Sequence, residues 1–230
     1  MAASTAILVM LELWWTPATD MPPANTLALL SPHETGRLGS LRRPQDRAEY
    51  ASAHVLLQQL LRSRFGANRV ELSQRPCPCC SEAHGRPYVH RPSTELELSL
   101  SHGGGLVAVA LCDRGPIGVD TESVVDISTL NDVSPLLHPE ERKELARTPQ
   151  EKRQILFTRI WVRKEAYLKA IGTGLGRDTR LDCVAPGRPE LHPDGWVFHE
   201  INLGAGTSTV LCGPIAAGSP AVQGVDLRGC

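Results

Sequence analysis

The chain has 230 residues, with 24 Lys and Arg against 25 Asp and Glu, for a formal net charge of -1. With 41% hydrophobic and 21% charged residues it has a globular composition, and the length suits one or two domains with a sizeable core. The balanced charge excludes general attraction to a polyanion, so no nucleic-acid partner is expected, and no apolar run approaches the ~18 residues of a membrane span.

The opening apolar run, Ala6 to Leu11, is broken by Glu12 and follows no Lys or Arg, so the expectation is no secretory signal and a cytoplasmic protein with reduced thiols. Ala6 to Trp15 reads as a buried strand. A loop with Pro22, Pro23 and Pro32 follows. Pro44 opens a predicted helix that ends near Arg64, with Gly66 as its stop. Tyr50, His54, Leu57 and Leu61 fall on one face of it, and Arg42, Arg43 and Arg47 cluster at its start. A short strand at Val70–Leu72 leads to the loop Cys77-Pro-Cys79-Cys80, and then to His84-Gly-Arg86-Pro87. Glu95 to Ser101 alternates strictly and predicts a half-exposed strand, while Leu106 to Cys112 predicts a fully buried one.

The turn at Asp113–Gly115 is the expected boundary between two halves, residues 1–112 and 113–212. Pro116–Glu122 is the next strand and Pro139–Arg147 a short charged helix. Thr148-Pro149-Gln150-Glu151 has the pattern of a capping box and predicts a long helix running to Ile171 and stopping at Gly172. Strands are predicted at Trp196–Ile201 and Ser208–Cys212. The small, polar segment 213–230 is expected to be a flexible tail. Each half reads as strand, helix and further strands, which makes a structural duplication conceivable.

Two places carry chemistry. Asp120 and Glu122 project to one side of a strand, ~7 Å apart along it. They repel unless a proton or cation lies between them. A solvated edge strand would also carry this pattern, but Ile117-Gly118-Val119 before it favours an internal strand ending at a site. On the long helix, Lys164 lies within the apolar arc, Glu165 at its edge beside Trp161, and Lys169 one step beyond. Burying such charges costs several kcal/mol unless they are paired or bound to metal. The alternative is a snorkelling Lys with a Glu165–Lys169 pair worth ~0.3 kcal/mol. Together Asp120, Glu122 and Glu165 would make an all-oxygen site for a hard cation, with magnesium the natural occupant and a phosphate ester or anhydride the expected substrate.

Gly118-Val-Asp120-Thr-Glu122 and Trp161-Val-Arg-Lys164-Glu165-Ala-Tyr-Leu-Lys169 resemble the two signature motifs of the 4′-phosphopantetheinyl transferases, in the order of the larger, surfactin-type class with two similar halves. Gly172–Leu175, His84–Pro87 and Leu98-Ser-Leu-Ser101-His102 match further motifs. The resemblance implies an α+β fold of two similar subdomains related by a pseudo-two-fold axis, each a small sheet on a long helix. It also implies transfer of phosphopantetheine from coenzyme A to a serine of an apo acyl or peptidyl carrier protein, by a monomer. By this likeness Asp120, Glu122 and Glu165 hold magnesium. Glu165, or a water it orients, takes the serine proton, and Lys169 neutralises the phosphates. Arg86 and Pro87 line the nucleotide site, Ser101 and His102 meet the 3′-phosphate region, and Arg42, Arg43 and Arg47 are candidates for an outer phosphate clamp. Lys164 either contacts phosphate or orients Glu165. Departures are Val162 for a hydroxyl residue, Arg86 for Lys, Gly103 for Ser and Ala53 for Gly; none removes a metal ligand.

Rival classes are weaker in the sequence. Cys77, Cys80 and His84 have the spacing of a zinc knuckle, with Cys79 and His90 the only candidates for a fourth ligand, so a loop of reduced cysteines is expected there. His102-Gly-Gly-Gly105 resembles a lipase oxyanion loop, but the chain has no G-x-S-x-G. Gly172–Gly176 follows a helix, not the strand a dinucleotide fingerprint requires. His33, His138, His192 and His199 have no partners by spacing. A non-catalytic carrier-binding homologue would have little reason to keep the three acids.

Overall fold

Strand β5 (Leu106–Cys112) is central because both its faces are apolar, and its alternation sorts them by size. Val107, Val109 and Leu111 join a core with the long helix α3 (Pro44–Phe65). The small Ala108, Ala110 and Cys112 face the other way, where a second sheet can approach closely. The computed structural model describes residues 11–18, 20–67, 70–204 and 206–227. Within them β5 lies in a six-stranded sheet ordered β2-β3-β4-β5-β1-β9. Its other strands are β1 (Leu11–Pro17), β2 (Glu71–Gln74), β3 (Pro87–Arg91), β4 (Glu97–Gly103) and β9 (Ala221–Gly224). The part of the predicted first strand before Leu11 lies outside the described residues.

The second sheet has three antiparallel strands in the order β6-β8-β7: β6 (Gly118–Ser123), β7 (Trp196–Ile201) and β8 (Thr207–Pro214). Val119 and Leu211 turn toward the first sheet. Val210 and Cys212 turn toward Val162, Ala166 and Ala170 of the long helix α6 (Arg153–Ile171). The result is helix, sheet, sheet, helix, an α+β arrangement. Shorter helices complete it: α1 (Ala24–Leu27), α2 (Pro32–Ser40), α4 (Ile127–Val133) and α5 (Pro139–Arg147). None of the helices among the described residues is long and apolar enough to cross a membrane.

Three expectations are corrected. Residues 213–227, the described part of the last segment, are not a free tail: β9 adds to the open edge of β1 in parallel, Val225 N–H donates to Trp15 C=O, and Leu227 enters the first core. Strand β4 is not half-exposed. Its serine face is covered by β6, with Ser99 Oγ accepting from Val119 N–H at 3.0 Å and Ser101 Oγ from Thr121 N–H at 3.4 Å. Thr148 does not cap α6; its Oγ1 donates to Glu144 C=O of α5, and a short 3-10 turn, Gln150–Lys152, precedes the helix.

Gly118 explains how closely α6 rides on β6. A Cβ there would lie 2.0 Å from Ala166 O and 2.6 Å from Ala170 N, both rigid helix backbone. Gly118→Ala is therefore expected to cost at least the ~1–3 kcal/mol of an overpacked core, and to lower activity by pushing the helix off the strand. Urea unfolding measures the first effect and a rate assay the second.

Candidate active site

The face of β6 that Gly118 leaves open also carries Asp120 and Glu122, because alternate residues share a face. The same close approach brings Glu165 and Lys169 of α6 over them. All four line one large cavity of about 1080 Å³. Asp120 is 2% exposed. Its Oδ1 accepts from Lys169 Nζ at 2.6 Å and from Ser101 Oγ at 2.8 Å, and Lys169 also donates to Ser101 at 3.1 Å. Its Oδ2 is buried with no hydrogen-bond partner.

The acids strain against one another. Burial, then the charges of Asp120 and Glu165, push the Glu122 carboxyl up to about 7, with Lys169 opposing. Burial and Asp120 also raise Glu165, against Lys169 and a hydrogen bond from the Trp161 indole. Three acids on one wall, one with an orphaned buried oxygen, is a donor set suited to a hard divalent cation. The trio is open: among the described residues only Cys77, Cys80 and His84 bring three ligand atoms within 4.8 Å of one another.

The remaining expected residues divide. Arg86, Pro87, Ser101 and His102 line the cavity. Arg86 is held between Glu97, 3.3 Å from its Nε, and the Ala170 carbonyl in the last turn of α6, to which it donates at 3.0 Å. A cation at a helix C-terminus is favoured by the dipole. Its stem also passes over Gly172, where a Cβ would sit 3.1 Å from Arg86 Cγ. His102 Nδ1 lies 3.5 Å from Glu49 Oε2. Arg42, Arg43 and Arg47 are not among the lining residues; they sit before and in the first turn of α3, where Arg42 and Arg43 are exposed. Arg47 precedes Tyr50 and His54, which do line the cavity, by one and two turns on that helix.

Lys164 is not at the site. It is fully buried, its Nζ 2.8 Å from Glu141 Oε1, and it donates to the Asp182 carbonyl. Glu141 also accepts from Val184 N–H and His138 N–H, each at 2.8 Å. Lys164 thus joins α6 to α5 inside the second half.

Another part of the cavity lining came with no catalytic motif. Glu34 of α2 accepts from Ser31 N–H at 2.7 Å and lies 2.8 Å from His54 Nδ1. Burial alone would raise its carboxyl, but the His54 and Ser31 hydrogen bonds prevail and hold it at about 2. Glu49 is likewise kept below its ordinary range, against burial, by His102, Gln45 and the Gly105 N–H. The signal for α2 was present as Ser31-Pro-His-Glu34, a capping box with Pro at its first helical position.

A model of the 4′-phosphopantetheinyl transferase superfamily matches residues 116–200, the span that holds β6, Glu165 and Lys169. The 4′-phosphopantetheinyl transferase HetI of Nostoc sp. is 30% identical over 185 residues, covering 77% of this chain and 76% of HetI. A Synechocystis sp. protein named for the same transferase is 30% identical over 167 residues, 71% of this chain and 65% of that protein. The transferase ffp of Bacillus subtilis is 28% identical over 179 residues, 75% of this chain and 76% of its own. The chain belongs to the 4′-phosphopantetheinyl transferase superfamily.

Proposed function

We propose that this protein transfers the 4′-phosphopantetheine group of coenzyme A to a serine hydroxyl of an apo acyl or peptidyl carrier protein, in a magnesium-dependent reaction that releases adenosine 3′,5′-bisphosphate. The observation that carries the reading is the convergence of Asp120, Glu122, Glu165 and Lys169 on one cavity wall, with Asp120 Oδ2 unpaired. Membership of a transferase superfamily supports it.

Asp120, Glu122 and Glu165 would hold magnesium, which supplies positive charge on the pyrophosphate oxygens when bound. The chain's own groups do the rest. Glu165, at the half-exposed edge of α6, accepts the serine proton directly or through a water. Lys169, whose ammonium already sits between Asp120 and Ser101, neutralises phosphate charge as the anhydride breaks. Arg86 and Pro87 border the nucleotide, and Ser101 and His102 the 3′-phosphate region. Arg42, Arg43 and Arg47, outside the lining residues, serve as an outer rim. We assign the chain to the surfactin-type class, read residues 1–112 and 113–212 as two subdomains related by a pseudo-two-fold axis, and place the protein in the cytoplasm as a monomer.

The test is the intact mass of an apo carrier protein incubated with coenzyme A, magnesium and this protein. A gain of one phosphopantetheine is expected. No gain across carriers from fatty acid, polyketide and peptide assembly would favour a carrier-binding protein without catalysis.

A further inference from the structure

A second constellation of metal-ligating groups lies in the loop between β2 and β3. The chain there closes a tight turn: Gly85 N–H donates to Arg75 C=O and Arg75 N–H to Arg86 C=O, both at 2.9 Å. A Cβ at Gly85 would lie 2.7 Å from the Arg75 oxygen, so glycine is required for the closure. Within the turn Ser81 takes φ 66 and its N–H donates to Cys77 C=O at 2.8 Å, which folds Cys80 back toward Cys77. Cys77 is 1% exposed and its Sγ accepts from the Cys79 N–H at 3.4 Å, a contact that favours a thiolate. Cys80 Sγ and His84 Nε2 are 2.9 Å apart. The three ligand atoms lie within 4.8 Å of one another.

A tetrahedral zinc ion with two thiolates and one imidazole places those atoms about 3.5–3.8 Å apart, so the loop needs only small side-chain shifts to receive it. Thiolate and imidazole donors select a soft or borderline cation over magnesium. Cys79 does not complete the set. Its thiol neighbours Cys77 but lies outside the group whose ligand atoms all come within 4.8 Å of one another, and its Cβ is 3.9 Å from where a Gly176 side chain would begin. Cys80 and His84 are exposed, which leaves water access to the remaining position.

We propose that Cys77, Cys80 and His84 bind a zinc ion with solvent as the fourth ligand. The Cys77 and Cys80 thiols release their protons to solvent as the ion binds. The ion braces the rim of the catalytic cavity, because His84, Gly85 and Arg86 all line it and Arg86 is the strut to the end of α6.

The full chain, purified without a histidine tag or added zinc, is expected to carry stoichiometric zinc. Cobalt(II) added to the metal-free protein should give thiolate-to-cobalt charge-transfer and tetrahedral d–d bands, which oxygen ligands at the acid trio cannot produce. Cys77→Ser, Cys80→Ser and His84→Ala should each abolish stoichiometric binding while circular dichroism stays unchanged; Cys79→Ser should retain it. Three results would overturn the assignment: no cobalt bands with all thiols reduced, isolation of the metal-free chain with a Cys77–Cys80 disulfide, or loss of metal in Cys79→Ser. Since every readout is bound metal, the outcome is independent of whether the protein transfers phosphopantetheine.

Discussion

Glu165→Gln should lose transfer by ~10³-fold or more while the fold melts at the same temperature or higher. The two halves of this expectation have one cause. Glu165 is held beside Asp120 in a half-buried wall, and both burial and that neighbouring charge disfavour its carboxylate. A group whose folded pKa is raised contributes stability in its protonated form and loses it as pH climbs through the folded value. Ionised Glu165 is therefore a burden on the fold, and a neutral amide of the same shape removes it. The amide also removes the proposed proton acceptor and one charged oxygen from the proposed cation site. Single-turnover transfer to an apo carrier, measured with a thermal melt on the same sample, checks both. Full activity in Glu165→Gln would end the role assigned to it, and a lower melting temperature would contradict the account of its environment.

Lys164→Ala is the opposite case, a large loss of stability with the site intact. Both partners of the Lys164–Glu141 pair are 0% exposed, so no solvent screens the charge left behind. Truncating one member of a buried pair costs about 3–5 kcal/mol, and the emptied volume adds to it. Glu141 would keep its bonds from Val184 N–H and His138 N–H but lose the Lys164 counter-charge. A fall in the urea midpoint at unchanged m-value measures the loss. Lys164→Met with Glu141→Gln should recover part of it. Under conditions where Lys164→Ala is folded, its KM for coenzyme A should match the unsubstituted chain; a raised KM would return Lys164 to the phosphates.

These two residues show what the sequence could convey. A helical wheel marks both Lys164 and Glu165 as charges on an apolar seam, and the physical argument is the same for each: something must compensate them. Which compensation applies depends on what packs there. Glu165 faces β6, whose D-x-E is visible in the sequence. Lys164 faces Glu141, hidden in the charged run of α5 that reads as a solvated helix. Strands β5 and β7 and helix α5 were legible to the residue, because a fully apolar run and proline or glycine boundaries leave few alternatives. Strand β9 was not: its four residues are exposed and it is held by backbone pairing to β1, which leaves no hydrophobic pattern. Strand β4 alternates correctly, but alternation says only that the two faces differ, and here the serine face meets the backbone of β6. The cavity wall built from Glu34, Tyr50 and His54 is long-range and polar, so spacing could not assemble it.

Under the proposed function Asp120, Glu122 and Glu165 share a single divalent ion when substrate is present. Manganese(II) reports on it directly, by paramagnetic resonance titration with coenzyme A held saturating. One ion per chain is expected at this site, bound at least ~10-fold more weakly by each of Asp120→Ala, Glu122→Ala and Glu165→Ala. Manganese bound as tightly by Glu165→Ala as by the unsubstituted chain would contradict it.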